Sequence, residues 1–157
     1  MTNYKYNSLF VICQNNIETI EDIKNQYINL LSFLTETLYI SDKEFVDKVT
    51  EISKIGDITI CYYINNDDKK INIIGSGTII YEPKIIHGCK NVGHIEDIVV
   101  HNNYRSHGIA KNILQILTDK ANKNNCYKII LDCKKELLNF YEKNGFVCNG
   151  NQMSKYF

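Results

Sequence analysis

The fold is decided by the stretch Gly93-His94-Ile95-Glu96-Asp97-Ile98-Val99-Val100 and by its continuation His101-Asn102-Asn103-Tyr104-Arg105-Ser106-His107-Gly108-Ile109-Ala110-Lys111. The first eight residues form an apolar, β-branched run that predicts a strand, and the residues after Arg105 predict a helix. A helix entered through a glycine-containing turn presents unpaired backbone N–H groups and the positive end of its dipole. The stretch therefore predicts a phosphate-binding turn that needs no charged side chain.

Bulk properties restrict the function further. A length of 157 residues predicts one domain over residues 1–157. Lysine plus arginine equals aspartate plus glutamate, at 18 each, so no net charge recruits nucleic acid or a membrane surface. The six cysteines form no C-x-x-C pair, and no signal or membrane-length apolar run is present. We therefore expect a cytoplasmic protein with reduced thiols and with no nucleic-acid or membrane partner.

Apolar periodicity predicts the element order β-α-α-β-β-β-α-β-α-β-β, an α/β (α+β) arrangement in which helices flank a mixed central sheet. Ser41 and Glu44 form a capping box for the second helix, and Gly145 is expected at the C′ position of the last helix. The predicted strands are residues 8–13, 57–64, 70–81, 93–100, 127–133, 146–148 and 152–157. The predicted helices are residues 18–35, 41–52, 106–124 and 134–144.

The turn Arg105-x-x-Gly108-x-Ala110 is a weak motif by itself, because an ordinary strand-to-helix loop can show the same three residues. It is neither a Walker loop nor a dinucleotide fingerprint. In this order of elements it resembles the acetyl-coenzyme A pyrophosphate loop of the GNAT superfamily of N-acetyltransferases, Gln/Arg-x-x-Gly-x-Gly/Ala. The resemblance implies the GNAT fold with acetyl-CoA as co-substrate.

A closer resemblance comes from four blocks between residue 84 and the C-terminus, a little under half of the chain. They are Gly-His-Ile-Glu-Asp-Ile-Val-Val at 93–100, Cys-Tyr-Lys-Ile-Ile-Leu-Asp-Cys at 126–133, Phe-Tyr-Glu-Lys-Asn-Gly-Phe at 140–146 and Gln-Met-Ser-Lys-Tyr-Phe at 152–157. In order and spacing they resemble the glucosamine-6-phosphate N-acetyltransferase family. The resemblance implies acetyl transfer from acetyl-CoA to the 2-amino group of D-glucosamine 6-phosphate. The amine would attack directly in a ternary complex and give N-acetyl-D-glucosamine 6-phosphate and CoA, a step of UDP-N-acetylglucosamine biosynthesis.

The resemblance implies three reacting side chains, those of Tyr141, Asp132 and Glu96. Tyr141 takes the position whose phenol protonates the departing thiolate, although an aromatic next to Phe140 is also typical of simple packing. Asp132 takes the position that orients the amine. Glu96 and Asp97 fall at the sugar site and, as strand neighbours, are expected to point to opposite faces. The residues leave open whether a water or a main-chain carbonyl removes the amine proton.

The resemblance also implies the cofactor contacts. Backbone groups of Ile98, Val99 and Val100 would pair with the pantetheine arm like an added strand, and Tyr141 would meet the thiol end. Leu137 stands where the family commonly has an asparagine that contacts the cofactor, and the loop has Ser106 and His107 where small or basic residues are usual. The pyrophosphate would lie on Arg105, Ser106, His107, Gly108, Ile109 and Ala110.

The phosphosugar contacts implied by the resemblance lie elsewhere in the chain. Thr35 matches a substrate-contacting threonine near the end of the first long helix. The family's substrate segment matches Lys84, Ile85, Ile86 and His87. In the family, the partner subunit of a homodimer completes the site with its C-terminal strand. Some members have an arginine in that strand, and the residues near the corresponding position here are Lys155 and Tyr156. A lysine offers a point charge without the bidentate fork of arginine.

Other functions remain as alternatives. The histidines and cysteines lack the spacing of a zinc site, so we expect no metal. A GNAT enzyme for a protein N-terminus or a polyamine would need an acidic or apolar channel in place of phosphate ligands. A non-catalytic acyl-CoA binding module is left open by Leu137, whereas Tyr141 and Asp132 argue against it.

Overall fold

The computed structural model describes residues 3–16 and 19–157. Its centre is one five-stranded sheet with the strand order β1-β2-β3-β4-β5. The first four strands are antiparallel neighbours, and β4 and β5 are parallel. The strands are β1 (Lys5–Ser8), β2 (Gly56–Ile64), β3 (Ile71–Pro83), β4 (Asn91–Val100) and β5 (Cys126–Leu131).

Helices pack on both faces of this sheet. One core joins the first three helices to alternate residues of β2 and β3, and a second core joins α5 to the opposite face. The helices are α1 (Leu9–Asn15), α2 (Ile20–Leu31), α3 (Asp42–Ile55), the single turn α4 (Ile86–Cys89), α5 (Ile109–Lys123) and α6 (Leu138–Glu142). Within residues 3–16 and 19–157, no helix has both the length and the apolar character needed to span a membrane.

Two predicted helix ends are confirmed. The Ser41 hydroxyl accepts from the Glu44 N–H at 3.3 Å, and the Glu44 carboxylate accepts from the Ser41 N–H at 2.8 Å, which completes the capping box. Gly145 has a left-handed φ of +88°. The Gly145 N–H reaches the Glu142 carbonyl at 3.0 Å and the Phe146 N–H reaches the Tyr141 carbonyl at 3.1 Å. This pair of bonds is a Schellman motif with Gly145 at C′.

Both ends of the chain differ from the predicted element order. Residues 8–13 were predicted as a strand, but β1 ends at Ser8 and α1 follows, because Leu9, Ile12 and Cys13 share one buried helical face. Short apolar runs do not distinguish a strand from a helix. The predicted start of the next helix at residue 18 lies outside the described residues.

The predicted hairpin of residues 146–148 and 152–157 is absent from the structure, where this segment contains no strand. Its apolar side chains point to solvent: Val147, Met153 and Tyr156 are each more than 80% exposed. A strand needs a partner to satisfy its backbone, and in the single chain the tail has none among the described strands. The region between 134 and 144 forms a 3₁₀ turn, Lys135–Leu137, followed by the short α6.

The loop between α2 and α3 is held by a buried ion pair. Lys24 on α2 is 6% exposed, and its Nζ lies 2.5 Å from Oδ1 of Asp42 at the start of α3. A buried cation needs such a partner. The pair links the first half of α2 to the first residue of α3, the two helices on either side of the loop that carries Phe33, Leu34 and Thr35.

A bulge interrupts β4 next to β3. Ser76 pairs with Val99 and Thr78 pairs with Glu96, so Gly77 alone faces two residues, Asp97 and Ile98. Asp97 has a φ of +54°, in the left-handed region that aspartate tolerates better than most residues. A bulge bends its strand and increases the local twist. The second half of β4 is therefore bent relative to the first.

Gly75 and Gly77 let α5 approach β3 closely. A Cβ on Gly75 would lie 2.8 Å from Cγ2 of Ile109, and a Cβ on Gly77 would lie 2.7 Å from Cγ2 of Ile113. The two glycines therefore let α5 pack directly on the backbone of β3.

Gly77→Ala is expected to destabilise the protein by about 1–3 kcal/mol, because the added methyl overpacks this contact. The free energy of unfolding measured in urea tests this expectation. Ile98→Val removes Cδ1, the atom nearest to the new methyl, so the double variant should recover part of the loss. A Gly77→Ala protein as stable as the wild type would show that α5 does not depend on this approach.

Candidate active site

One cavity of about 760 Å³ contains most of the predicted site residues. It opens where β4 and β5 separate, because their parallel pairing ends at Ile95 and Leu131. Beyond that point the remaining residues of β4 pair with β3 alone. The predicted site residues that line the cavity are Thr35, Glu96, Asp97, Ile98, Val99, Val100, Arg105, Ser106, Gly108, Ile109, Ala110, Asp132 and Tyr141.

The turn from β4 into α5 forms one end of the cavity. Ser106 and Gly108 both have left-handed φ angles, +65° and +76°. Nothing lies within 4 Å of a Cβ placed on Gly108, so the backbone conformation and not lack of space favours glycine there. No side chain of the described residues caps the α5 N-terminus. Its first N–H groups therefore remain available to an anion.

Arg105 supports this turn from outside the helix. Its Nε donates to the Val100 carbonyl at 3.4 Å, and it also lines the cavity. The bond joins the end of β4 to the turn. His107, in contrast, is not among the cavity-lining residues: its Nδ1 lies 3.5 Å from the hydroxyl of Tyr4. The predicted role of His107 toward a phosphate stays a prediction.

The bulge changes the expected arrangement of the two adjacent carboxylates. Glu96 and Asp97 were expected to point to opposite faces of the sheet, but both line the same cavity. Strand alternation fails here because Asp97 occupies the left-handed bulge position. Asp97 is exposed overall, but partial loss of hydration at its carboxyl raises the pKa above the usual range.

Tyr141 occupies the opposite side of the cavity, on α6. It is 8% exposed, and its ring lies edge-on to Phe140 at 5.1 Å and to Phe146 at 5.8 Å. Burial raises the pKa of the Tyr141 phenol, and the nearby Cys133 raises it further. The phenol is therefore protonated at neutral pH, the form that a proton donor needs.

Asp132 follows β5 and faces the cavity with Cys133 and Lys134. Its Oδ2 lies 3.9 Å from Nε2 of His94, and the same nitrogen lies 3.1 Å from Oε1 of Glu96. His94 was not among the predicted site residues, because the histidines were considered only as metal ligands. Alternation along the strand was the available signal, because residues 94 and 96 share a face.

Several predicted substrate residues do not line the cavity of this chain. Lys84 forms an ion pair with Glu82, and His87 packs on the ring of Tyr127 with ring centroids 4.1 Å apart. Ile85 and Ile86 are 91% and 62% exposed. Lys155 lies in the exposed tail with its Nζ 5.5 Å from the ring of Phe157. Their roles stay predictions.

Leu137 lines the cavity at the position where the resembling family commonly has an asparagine. It is 44% exposed, so an apolar side chain faces the cavity at this point. As for metals, the residues that the structure describes include no group of three or more His, Cys, Asp or Glu side chains arranged to hold one.

Comparison with known proteins agrees with this geometry. Residues 29–146 match the family model described as the acetyltransferase (GNAT) family, which covers most of the chain. The chain belongs to the GNAT acetyltransferase family, and the predicted GNAT fold is confirmed. Acetyl-CoA is the co-substrate of this family.

Individual relatives show which members of the GNAT family this chain resembles. The chain is 37% identical to the glucosamine 6-phosphate N-acetyltransferase of Arabidopsis thaliana, over 88% of this chain and 92% of the relative. It is 39% identical to glucosamine 6-phosphate N-acetyltransferase 1 of Dictyostelium discoideum, over 87% and 86% of the two chains. The crystal structure of the Arabidopsis enzyme superimposes with a TM-score of 0.83 at 32% identity and covers 99% of both chains. The predicted resemblance to the glucosamine 6-phosphate N-acetyltransferases is thus confirmed.

Asp97→Asn is expected to stabilise the protein at neutral pH. Because the folded-state pKa of Asp97 is raised, the folded protein binds this proton more tightly than the unfolded chain does. Ionised Asp97 therefore costs stability above its folded pKa, and the cost disappears below the unfolded value of about 3.9. Asparagine also tolerates the left-handed conformation, so the backbone stays unstrained.

Urea unfolding of wild type and Asp97→Asn at a series of pH values measures this effect. The variant should be more stable at pH 7, and its advantage should shrink as the pH approaches 4. Asp119→Asn, on the exposed side of α5, controls for the loss of one negative charge. A constant difference between Asp97→Asn and wild type at every pH would contradict the expected linkage.

Proposed function

We propose that this protein transfers the acetyl group of acetyl-CoA to the 2-amino group of D-glucosamine 6-phosphate. The observation that carries this proposal is the single cavity in which the α5 turn, the open edge of β4, Asp132 and Tyr141 meet. The names of the relatives support the sugar phosphate as acceptor. We further propose one GNAT domain over residues 1–157, working in the cytoplasm, where its six free cysteines stay reduced.

The cofactor arm follows the backbone. The pyrophosphate is held by the free N–H groups at the start of α5, where the helix dipole favours negative charge. The pantetheine arm pairs with residues 98–100 of β4, because the side of the strand turned toward β5 has lost its partner there. The thioester then reaches the region between Glu96 and Tyr141. Ser106, His107, Ile109 and Ala110 complete the proposed contacts of the phosphate turn.

The chemistry is a direct displacement at the acetyl carbonyl. Asp132 orients the sugar amine, and Glu96 and Asp97 hold the sugar hydroxyls or the amine itself. A β4 backbone N–H stabilises the oxygen of the carbonyl as negative charge develops on it. Tyr141 donates its proton to the departing thiolate, and the raised pKa of its phenol keeps that proton in place until it is needed.

Recognition of a sugar phosphate is strengthened by cations that form charge-assisted hydrogen bonds to it. We propose a homodimer in which Lys155 and the C-terminal tail reach the partner's site. The exposed Met153, Tyr156 and Phe157 support this proposal, because such a run of apolar side chains is costly to leave in water. Thr35 contacts the sugar from the α2–α3 loop. Lys84, Ile85, Ile86 and His87 contribute from the β3–β4 loop.

Thiol release from acetyl-CoA tests the acceptor. We expect glucosamine 6-phosphate to support turnover with a kcat/KM at least about 100-fold above that of glucosamine, because charge-assisted hydrogen bonds to the phosphate are lost with glucosamine. Spermidine and a peptide N-terminus serve as alternative amines. Equal rates with and without the 6-phosphate would refute the substrate assignment. Acetyl-CoA binding without any thiol release would favour a binding module.

Tyr141→Phe should lower kcat by about 100-fold and leave the Kd for acetyl-CoA little changed, because the hydroxyl acts only when the thiolate leaves. Tyr39→Phe is the matched control, since Tyr39 is 89% exposed and lies outside the cavity. An unchanged kcat in Tyr141→Phe would remove the phenol from the reaction.

Subunit complementation tests the shared site. A chain lacking residues 152–157 and a Tyr141→Phe chain should each be nearly inactive alone. After unfolding and refolding together, mixed dimers contain one site with both Tyr141 and an intact partner tail, so activity should return to roughly a quarter of wild type. No recovery in the mixture, despite mixed dimers shown by mass spectrometry, would mean that the tail serves its own chain.

A further inference from the structure

His94 lies close to two of the carboxylates that line the cavity, those of Glu96 and Asp132. Its Nε2 is 3.1 Å from Oε1 of Glu96 and 3.9 Å from Oδ2 of Asp132. Glu96 and Asp132 line the cavity, whereas His94 does not. The His94 side chain is nevertheless 33% exposed. It therefore connects the carboxylates inside the cavity with solvent outside it.

The reaction has a proton to dispose of at this place. A sugar amine in its ammonium form carries two protons more than the amide nitrogen of an acetylated, neutral product. One of these protons ends on the coenzyme A thiol. The other proton must leave the site in every turnover. The phenol of Tyr141 donates its own proton to the thiolate, so it is not the group that removes this second proton to solvent.

We propose that His94 receives this proton from the amine by way of the Glu96 carboxylate, which lies within hydrogen-bond distance of Nε2, and passes it to solvent. The inference rests on the proposed acetyl transfer to an amine, and it assigns the deprotonation route within that reaction. Histidine suits the task because its imidazole ring can both accept and release a proton during a reaction.

The ammonium N–H bond breaks, and the proton moves through the Glu96 carboxylate to Nε2 of neutral His94. The freed electron pair forms the N–C bond, the C–S bond breaks, and the thiolate takes the phenolic proton of Tyr141. The second amine proton restores that phenol. His94 then releases its proton to water, so one net proton leaves per acetyl group.

The surroundings of His94 support a transient positive charge on its ring. Glu96 and Asp132 provide two carboxylates within 4 Å, and opposite charges at this distance attract. Glu82 at the end of β3 also interacts electrostatically with His94, while Lys84 and Lys128 interact with Glu82. Three carboxylates, those of Glu96, Asp132 and Glu82, therefore interact with the ring, and the two lysines interact with Glu82.

A purely structural role for His94 predicts different behaviour. If the ring only filled the space beside Glu96, glutamine would serve nearly as well, because its side chain is also polar and of similar size. Glutamine cannot accept and release a proton near neutral pH. Comparing His94→Gln with His94→Ala therefore separates the filling of this space from proton transfer.

The experiment measures thiol release with glucosamine 6-phosphate from pH 6 to pH 9.5 for wild type, His94→Gln and His94→Ala. We expect both variants to lose about 10–100-fold in kcat at pH 7. The loss should shrink toward high pH, where the amine arrives already deprotonated. Added imidazole should restore His94→Ala in proportion to its concentration. The Kd for acetyl-CoA should stay within about twofold of wild type, as expected for a site away from the cofactor.

His101→Gln is the matched control, because it makes the same exchange just past the end of β4 at a residue that contacts neither carboxylate. It should keep the shape of the wild-type pH profile. A wild-type pH profile in His94→Gln, or an equal loss at every pH without imidazole rescue, would overturn the inference while leaving the proposed function intact. Absence of wild-type turnover with any amine would overturn both.

Discussion

The cavity depends on how closely α5 approaches β3. Gly75 and Gly77 have no side chain to hold the helix away, so Ile109 and Ile113 press directly on the strand. Opposite Gly77, β4 must absorb one extra residue, and Asp97 takes the left-handed conformation that allows this. The pairing of β4 with β5 ends at Ile95, two residues before Asp97, so the backbone groups beyond it have no partner in β5. Ile109, which packs on Gly75, also lines the cavity, so the core and the site share a residue.

Local signals in the sequence predicted much of the fold. The capping box at Ser41 and Glu44 and the glycine at position 145 both have short-range causes, and both were predicted correctly. The first strand was misplaced because an apolar run of six residues fits either a strand or a short helix. The final hairpin was predicted from a tail whose apolar side chains find no partner within one chain. Interactions between distant segments decide these two regions, and local periodicity does not report them.

The site was predictable to a similar extent. Motif resemblance gave Tyr141, Asp132 and the phosphate turn, and the structure brings them into one cavity. The shared orientation of Glu96 and Asp97 was not predictable, because it follows from a bulge that neither residue specifies alone. His94 was missed for a different reason. Its neighbour Asp132 follows another strand, and a sequence does not show which residues of distant segments lie together.

The Schellman motif at the end of α6 links two parts of the protein that have separate tasks. The backbone carbonyl of Tyr141 accepts from the N–H groups of Asn144 and Phe146, so the residue that carries the phenol also anchors the start of the tail. The ring of Phe146 packs on that phenol as well. The start of the tail and the side chain of Tyr141 are therefore held together within one turn of the chain. In the proposed dimer, docking of the tail is coupled through this turn to the placement of the phenol, and one glycine, Gly145, sets the geometry of the joint.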